Sequence, residues 1–411
     1  MSVQPMEPFF EEIKEPKELA MTGNYAVAGA VTQTDPDVVC AFPITPQTQS
    51  VEGLADVVYH GRLHAAFVNV ESEMAAMSYS TGACAAGARV FTATASQGYM
   101  LMMEALPMAV GWRVPLTMLI SARAFNAPNL SIWNAWEFTL ADVGWNVLVG
   151  EDVQETYDNA IMSLMLAERS LFPTMFVHDG FIISHAVHKF RVLSDEQVRG
   201  LTPRRERHTI TPDEPGMWGS LVSPEHLMEQ RLALDLAKKE VPPVVDQVFD
   251  DFAKVTGRRY QQVEAMGCDG VKLAIVTMGS MCGNVAAWQR RNPDVGLIKV
   301  RTYRPFPTLQ LRSLVEEHGI EKVAVLEKFD APGAPTAQLG ASVLASLYPL
   351  SLPVKDFIAG YGGRDVTRDE FNLIKKKMEK LERVPDQFYE YVGVREKADK
   401  MWDPPVEEVS K

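Results

Sequence analysis

Cysteine is scarce in this chain: Cys40, Cys84, Cys268 and Cys282 stand far apart in 411 residues, with no Cys-x-x-Cys pair. That spacing excludes a zinc ribbon and any iron–sulfur cluster held by this chain alone. Scattered cysteines of this kind are expected as small buried apolar residues. Long hydrophobic runs are also absent, none reaching the about 18–20 residues that a membrane span needs. The stretch 1–17 is acidic and contains proline, unlike a secretory signal. Excess positive charge is missing as well. A formal net charge of −13 argues against nucleic acid or an anionic membrane as partner, while leaving a local anion site open. A cytoplasmic location is expected.

What remains is the composition of an ordinary globular protein, with 46% apolar and 23% charged residues. Its length suits two domains, each large enough for its own core. From Gly23 to about His185, apolar runs at 38–42, 66–70, 90–95, 116–122, 145–149 and 174–178 alternate with helix-length stretches, the clearest at 73–86, 100–110 and 153–167. Strands alternating with helices predict a doubly wound parallel α/β sheet. Between 188 and 270 the pattern changes. Pro203, Pro212, Pro215, Pro242 and Pro243 interrupt it, and Ser223-Pro224-Glu225 has the form of a helix start with a capping hydroxyl. Helices are predicted to about Lys239 and from Val244 to Thr256, where Gly257 suits the C′ position. A second α/β domain follows, with strands at 273–277, 297–300, 323–326 and 354–359. The expected division is an N-terminal arm (1–22), a first α/β domain (23–187), a linker with a helical hairpin (188–270), a second α/β domain (271–384) and an extended tail (385–411).

In a parallel sheet, residues at the carboxyl ends of strands face the ligand crevice. Three polar groups fall there: Thr45 in Phe42-Pro43-Ile44-Thr45-Pro46, Glu73 in Ser72-Glu73, and the Ser96-Gln97-Gly98 loop. Arg123 ends the fourth run, at 116–122. Each has a plain structural alternative. Thr45 before Pro46 suits a helix N-cap, and Glu71 and Glu73 suit the first turn of a helix, where acids favour the dipole. A lone arginine at a strand end is commonly a surface ion-pair residue. Any strand-to-helix loop can look like Ser96-Gln97-Gly98. His178-Asp179-Gly180 superficially suggests a diphosphate and Mg²⁺ site, but no glycine precedes Asp179 and no Asn pair follows, so it is assigned to structure.

The linked series, from about Gly23 to about Phe388, resembles the alpha subunit of the 2-oxoacid:ferredoxin oxidoreductases, thiamine diphosphate enzymes that oxidise pyruvate and its relatives to acyl-CoA. The resemblance implies two domains, one like a pyrimidine-binding domain and one like the C-terminal domain of transketolase. In the second, Arg304-Pro305-Phe306-Pro307 breaks a strand, Thr308 can cap the next helix, and Gly360, Gly362, Gly363 and Arg364 form a tight loop. It also implies that Glu73 hydrogen-bonds the aminopyrimidine of thiamine diphosphate, favouring the tautomer that removes the thiazolium C2 proton. Thr45 and Arg123 would hold the 2-oxo acid, the arginine through its carboxylate, and Ser96, Gln97 and Gly98 would border the cofactor. No diphosphate motif is present, so the diphosphate, Mg²⁺ and [4Fe–4S] clusters are expected on partners: a beta subunit, a gamma subunit and a ferredoxin-like delta subunit. CoA and ferredoxin complete the partner set, in a dimer of hetero-oligomers, and no metal is expected on this chain. One departure stands out. Pyruvate enzymes of the family carry a Gly-Asp-His type of segment after the arginine loop, whereas 132–138 here reads Ile-Trp-Asn-Ala-Trp-Glu-Phe. Asn134 and Trp136 are expected to line the substrate pocket and to favour a bulkier or aryl 2-oxo acid such as phenylglyoxylate. Aromatic packing in a core or interface is the alternative. A non-redox transketolase- or decarboxylase-type subunit, or a non-catalytic structural subunit, are the competing functions.

Overall fold

A computed structural model describes residues 5–125, 130–140, 142–213, 215–383, 385 and 387–395. Strand β1 (Lys17–Thr22) runs into helix α1 (Gly23–Thr34), capped by Thr22, whose hydroxyl accepts the Tyr25 amide. Then follow β2 (Val38–Ala41), α2 (Thr48–Tyr59), β3 (Ala66–Asn69), α3 (Glu73–Ala85), β4 (Val90–Thr94), α4 (Ser96–Leu101), α5 (Leu106–Gly111) and β5 (Thr117–Ala122). The expected single helix over 100–110 is thus two short ones. Pro107 in the first turn of α5 lacks the amide a continuous helix would need there. The unit closes with β6 (Asn146–Val149), α6 (Val153–Ser170), β7 (Thr174–Asp179) and β8 (Val187–Val192).

Six of these strands form a parallel sheet in the order β6-β7-β5-β4-β2-β3. Its inner strands β4 and β5 are buried along their whole length, as their continuous apolar runs require. β3 is the exception: as the edge strand it leaves Phe67 and Val68 half-buried and Ala66 and Asn69 exposed. The N-terminal segment is more than an arm, because β1 pairs antiparallel with β8 from Lys17↔Val192 to Thr22↔Val187. Neither strand shows a long apolar run, which is why their pairing was hidden in the sequence.

Helices α7 (Asp195–Leu201), α8 (Pro224–Lys239) and α9 (Val241–Thr256) lead into the second unit. Ser223 occupies the cap position of α8 without making a capping hydrogen bond. α9 begins at Val241, earlier than predicted. Pro242 and Pro243 lie in its first turn, where the amide is not needed. Gly257 closes α9 at φ +73°, as its C′ position predicted. The second sheet is built from β9 (Val263–Met266), β10 (Leu273–Thr277), β11 (Val295–Val300), β13 (Lys322–Glu327), β14 (Val354–Ile358) and β15 (Tyr389–Tyr391), in the order β15-β14-β13-β10-β11-β9. Strand β12 (Thr302–Arg304) leaves this unit and pairs antiparallel with β6 of the first sheet. Helices α10 (Met281–Gln289), α11 (Thr308–Glu317), α12 (Gln338–Leu347) and α13 (Arg368–Glu379) complete the chain.

Three expectations are corrected here. Thr308 is the first helical residue of α11 and Pro307 its cap, so the Thr308 hydroxyl meets Ser346 Oγ at 3.0 Å instead. The tail contributes β15, parallel to β14, before passing beyond the described residues at 396–411. The linker contains β9, an antiparallel edge strand of the second sheet. All four cysteines are buried and free. Among the described residues no helix is long and apolar enough to cross a membrane.

The strand switch at β12 carries an ion network across the two units. Glu155, in the first turn of α6, accepts Lys299 Nζ at 2.5 Å and Arg301 Nη2 at 2.8 Å, both from the end of β11 and the link to β12. Lys299 also reaches Glu151. Burial alone would raise the Glu155 pKa, but Arg301 and Lys299 hold it down at about 2. A carboxyl whose folded pKa lies below its unfolded value contributes stability above the unfolded pKa and loses it as pH falls through the folded one. Thermal unfolding is therefore expected to fall steeply between pH 4.5 and pH 2. Glu155→Gln should flatten that slope and cost about 1–3 kcal/mol at pH 7, because it removes one of the two carboxylates on each buried cation, leaving Lys299 with Glu151 and Arg301 with Glu264. Calorimetric melting of both proteins across this range checks it.

Candidate active site

In the first sheet the chain passes from β2 outward to β3 and then returns to the other side of β2 as β4. This reversal opens a crevice at the carboxyl edge, where open α/β sheets bind ligands. The connections after β2, β3, β4 and β5 all empty onto it: Thr45 and Arg123 lie in them, Glu73 begins α3, and Ser96–Gly98, expected as a loop, is instead the first turn of α4.

Glu73 is the first residue of α3. Ser72 caps that helix, its Oγ accepting the Ala75 amide at 3.2 Å. This orients the helix start and turns the Glu73 side chain inward, leaving Glu73 7% exposed while Glu71 lies on the surface. No hydrogen bond from a described residue reaches the Glu73 carboxylate. It packs instead against Gly98, where an added Cβ would stand 2.5 Å from Glu73 Oε1 and 2.5 Å from Thr94 Oγ1. Only glycine tolerates that approach. The buried atoms Thr94 Oγ1 and Gln97 Nε2 also have no partner among the described residues. A carboxylate and a hydroxyl thus gather at one point without satisfying each other, against the general rule for buried polar groups.

Ser96, which follows β4, adopts a left-handed φ of +48°. Its Oγ donates to Ala124 O at 2.7 Å and its amide donates to Glu137 Oε1 at 3.0 Å. Arg123, which follows β5, is 5% exposed. Its Nη1 donates to Thr45 O at 2.8 Å and its Nε to Ser131 O at 3.1 Å, leaving Nη2 without a partner among the described residues. Burial pulls its pKa down and the Glu137 carboxylate pushes it up; a guanidinium stays charged through such shifts. Thr45 is exposed and is not a cap: α2 begins at Thr48 with Gln47 before it, and Thr45–Pro46 is a cis peptide. The structure therefore brings Thr45 and Arg123 together through the threonine carbonyl.

Asn134 and Trp136 are placed otherwise than expected. Both are fully buried, and both donate to Asp179 Oδ1, Asn134 Nδ2 at 3.0 Å and Trp136 Nε1 at 2.8 Å. Asp179 is the last residue of β7. Its other oxygen accepts Lys328 Nζ at 2.8 Å and the Ser280 amide at 3.0 Å, from the ends of β13 and β10 in the second sheet. Burial would raise the Asp179 pKa, but Lys328, Ser280 and Trp136 keep it below the ordinary value. The expected pocket residues thus form the joint at which the carboxyl edges of the two sheets meet. Of the aromatic segment only Trp133 stays at the surface, 53% exposed and 4.9 Å from the Phe181 ring, while Phe138 is buried. Glu137 and Lys328 were missed in the sequence. A lone acid between Trp136 and Phe138 was the one signal for the first; the second gave none.

A paired α/β architecture of this kind is the fold of thiamine diphosphate enzymes. The inactive beta4 tetramer of a split-gene transketolase matches 88% of this chain and 99% of its own with TM-score 0.52 and 12% identity. The 2-oxoglutarate:ferredoxin oxidoreductase from Magnetococcus marinus, solved with 2-oxoglutarate, coenzyme A and succinyl-CoA bound, matches 89% of this chain and 66% of its own with TM-score 0.67 and 19% identity. The family described as "Pyruvate flavodoxin/ferredoxin oxidoreductase, thiamine diP-bdg" matches residues 29–250, and "Pyruvate:ferredoxin oxidoreductase core domain II" matches 271–371. Pyruvate synthase subunit PorA of Methanocaldococcus jannaschii is 37% identical over 388 residues, 92% of this chain and 98% of that protein. Ketoisovalerate oxidoreductase subunit VorA of Pyrococcus horikoshii is 35% identical over 379 residues, 89% and 95% of the two chains. The chain belongs to the 2-oxoacid:ferredoxin oxidoreductase family, as an alpha-type subunit, and its first domain is the family's thiamine diphosphate-binding one.

The residues present fit the pyrimidine part of that cofactor. Thr94 Oγ1 has no partner among the described residues and lies with the Glu73 carboxylate at Gly98, which carries no side chain to fill the space. Among the described residues no group of three or more His, Cys, Asp or Glu could hold a metal ion. Gly98→Ala is expected to displace the Glu73 carboxylate. Thiamine diphosphate affinity of the assembled enzyme should fall by about tenfold or more, the loss of one charge-assisted hydrogen bond, and the fold should lose about 1–3 kcal/mol to overpacking. Calorimetric titration beside a melting curve checks both.

Proposed function

We propose that this chain is the alpha subunit of a thiamine diphosphate-dependent enzyme that converts a 2-oxo acid and CoA to acyl-CoA and CO₂ while reducing ferredoxin. The observation that carries this reading is Glu73: a buried carboxylate at a strand switch point, pressed on a required glycine and unpartnered by the described protein. Thiamine diphosphate, when bound, would supply a carbon nucleophile and an electron sink. This chain's own residues do the rest of the half-site work. Glu73, with Thr94 near it, would hold a proton at the pyrimidine ring nitrogen. Arg123 offers Nη2 to the substrate carboxylate, and the exposed Thr45 hydroxyl stands at the same rim.

The diphosphate, Mg²⁺ and a [4Fe–4S] cluster are assigned to a beta subunit, with gamma and ferredoxin-like delta subunits completing a cytoplasmic dimer of hetero-oligomers. Support comes from the two helices that carry Glu73 and Gly98: Tyr79 on α3 and Met100 and Leu101 on α4 are 45%, 40% and 48% exposed, apolar side chains that another chain would cover. The isolated chain should show no thiamine diphosphate binding by calorimetry until the beta partner is added, and the complex should then reduce viologen with a 2-oxo acid and CoA. Tight Mg²⁺-dependent binding by this chain alone would sink the divided site. In the complex, Glu73→Ala should lower turnover by about 10²–10⁴-fold, Glu71→Ala far less, and Arg123→Met should raise the substrate KM by about tenfold or more.

The 2-oxo acid class is supported by relatives named for pyruvate and for ketoisovalerate. Pyruvate is the default substrate. With Trp136 and Phe138 inside the fold, Trp133 is the aromatic surface left near Arg123, its carbonyl accepting the Ala124 amide at 2.8 Å. A bulkier or aryl acid would bury apolar area on that indole at about 25 cal/mol per Å². Accordingly kcat/KM measured on pyruvate, 2-oxoisovalerate, phenylglyoxylate and 2-oxoglutarate should favour a larger acid, and Trp133→Ala should lower that preference. A clear preference for pyruvate over every larger acid would assign Trp133 to packing.

A further inference from the structure

We infer that Glu137 is a positioning residue that clamps the substrate-arginine loop and the cofactor loop to one carboxylate, an inference that rests on the roles proposed above for Arg123 and Glu73. Glu137 opens a short 3-10 turn (Glu137–Leu140) and is fully buried. Its two oxygens are divided between two loops: Oε1 accepts the Ser96 amide at 3.0 Å and Oε2 the Arg123 amide at 2.8 Å. These amides leave neighbouring parallel strands, β4 and β5, where their ladder has ended. The carboxylate replaces the missing strand partners with a single rigid group.

The clamp reaches both halves of the site. On one side Ser96 is held at φ +48°, a conformation costly for a non-glycine residue and kept only where the surroundings impose it. Gly98 follows two residues later, its amide bonded to Ala95 O at 3.0 Å, and it forms the wall on which Glu73 rests. On the other side, the Arg123 backbone position sets where its guanidinium bridges to Thr45 O at 2.8 Å. Displacing Glu137 therefore moves the support of Glu73 and the root of Arg123 together. Burial pushes the Glu137 pKa up to about 8, against the Arg123 and Ser96 amides that favour the ionised form. A buried carboxyl is costly to retain, and apolar neighbours such as Trp136 and Phe138 would pack a leucine there.

Glu137→Gln tests this, because the amide leaves one oxygen for two donors. In hydrogen–deuterium exchange on the full chain, peptides containing Ser96 and Arg123 should exchange about tenfold faster or more in at least one of the two loops, with α6 and α9 unchanged. In the assembled enzyme, both the 2-oxo acid KM and the thiamine diphosphate Kd should rise, whereas Arg123→Met should move mainly KM. Should Glu137→Gln fail to fold, Glu137→Asp, one methylene shorter, is read in the same way. Unchanged exchange in both loops overturns the clamp, and so does a uniform increase along the chain, which marks a purely structural residue. Exchange needs no turnover, so a wild-type complex inactive on every 2-oxo acid would refute the proposed function and still leave the exchange result to decide the clamp.

Discussion

Asp179 sits where the carboxyl edges of the two sheets meet, and the geometry of the site depends on how that buried charge is satisfied. Lys328 and Ser280 approach from the second sheet, Asn134 and Trp136 from the loop that follows Arg123. An aspartate at this depth without such partners would cost several kcal/mol. Satisfying it requires all three elements to converge on one point. The loop from Ser131 to Leu140 is thereby fixed at its middle, and its ends reach Arg123, through the Ser131 carbonyl, and Ser96, through Glu137. The Lys328 ammonium also stands 5.6 Å from the Trp136 ring centroid, so the same cation orders the aromatic segment.

Near this joint the chain carries local strain and unsatisfied polar groups. Ser96 is left-handed without being glycine, and Thr94 Oγ1, Gln97 Nε2 and Asn134 Oδ1 are buried without partners among the described residues. Glu73 lacks any described partner although it is nearly buried. Such departures cluster at sites that hold something else. Elsewhere the first unit shows buried inner strands and helices capped at Thr22, Ser72 and Asp152. The second unit keeps its own interior ordered by the same means: Glu327 lies on the N-terminus of α12, accepting the Leu339 and Gly340 amides at 3.1 and 2.8 Å.

The two units are also interleaved. β12 completes the first sheet from within the second unit, and Arg301 and Lys299 beside it anchor α6 through Glu155. Arg304, the last residue of β12, adds a bidentate pair to Asp142 at 2.6 and 2.8 Å. A strand exchanged in this way makes relative movement of the units costly, because it would break a β ladder as well as the Asp179 joint. The site therefore rests on a rigid base, and its open side is the edge at β3.

Local signals in the chain determined much of this. Apolar runs of strand length gave the two parallel sheets, because a strand buried on both faces must be apolar throughout. Ser72 before Glu73, the glycine at 98 and the arginine closing a strand marked one rim, because strand ends are where such sheets bind ligands. Gly257 ended its helix as its conformational freedom predicts. Only the tertiary structure decided the rest. Whether Trp136 faces a ligand or a buried aspartate depends on a lysine 192 residues away in sequence, and no local pattern encodes that pairing. Strands β1, β8, β12 and β15 are edge or ribbon strands stabilised by their partners' hydrogen bonds, and so they carry no run of apolar side chains to announce them. Glu137 joins two loops through backbone amides, which every residue possesses, and its role arises from position alone.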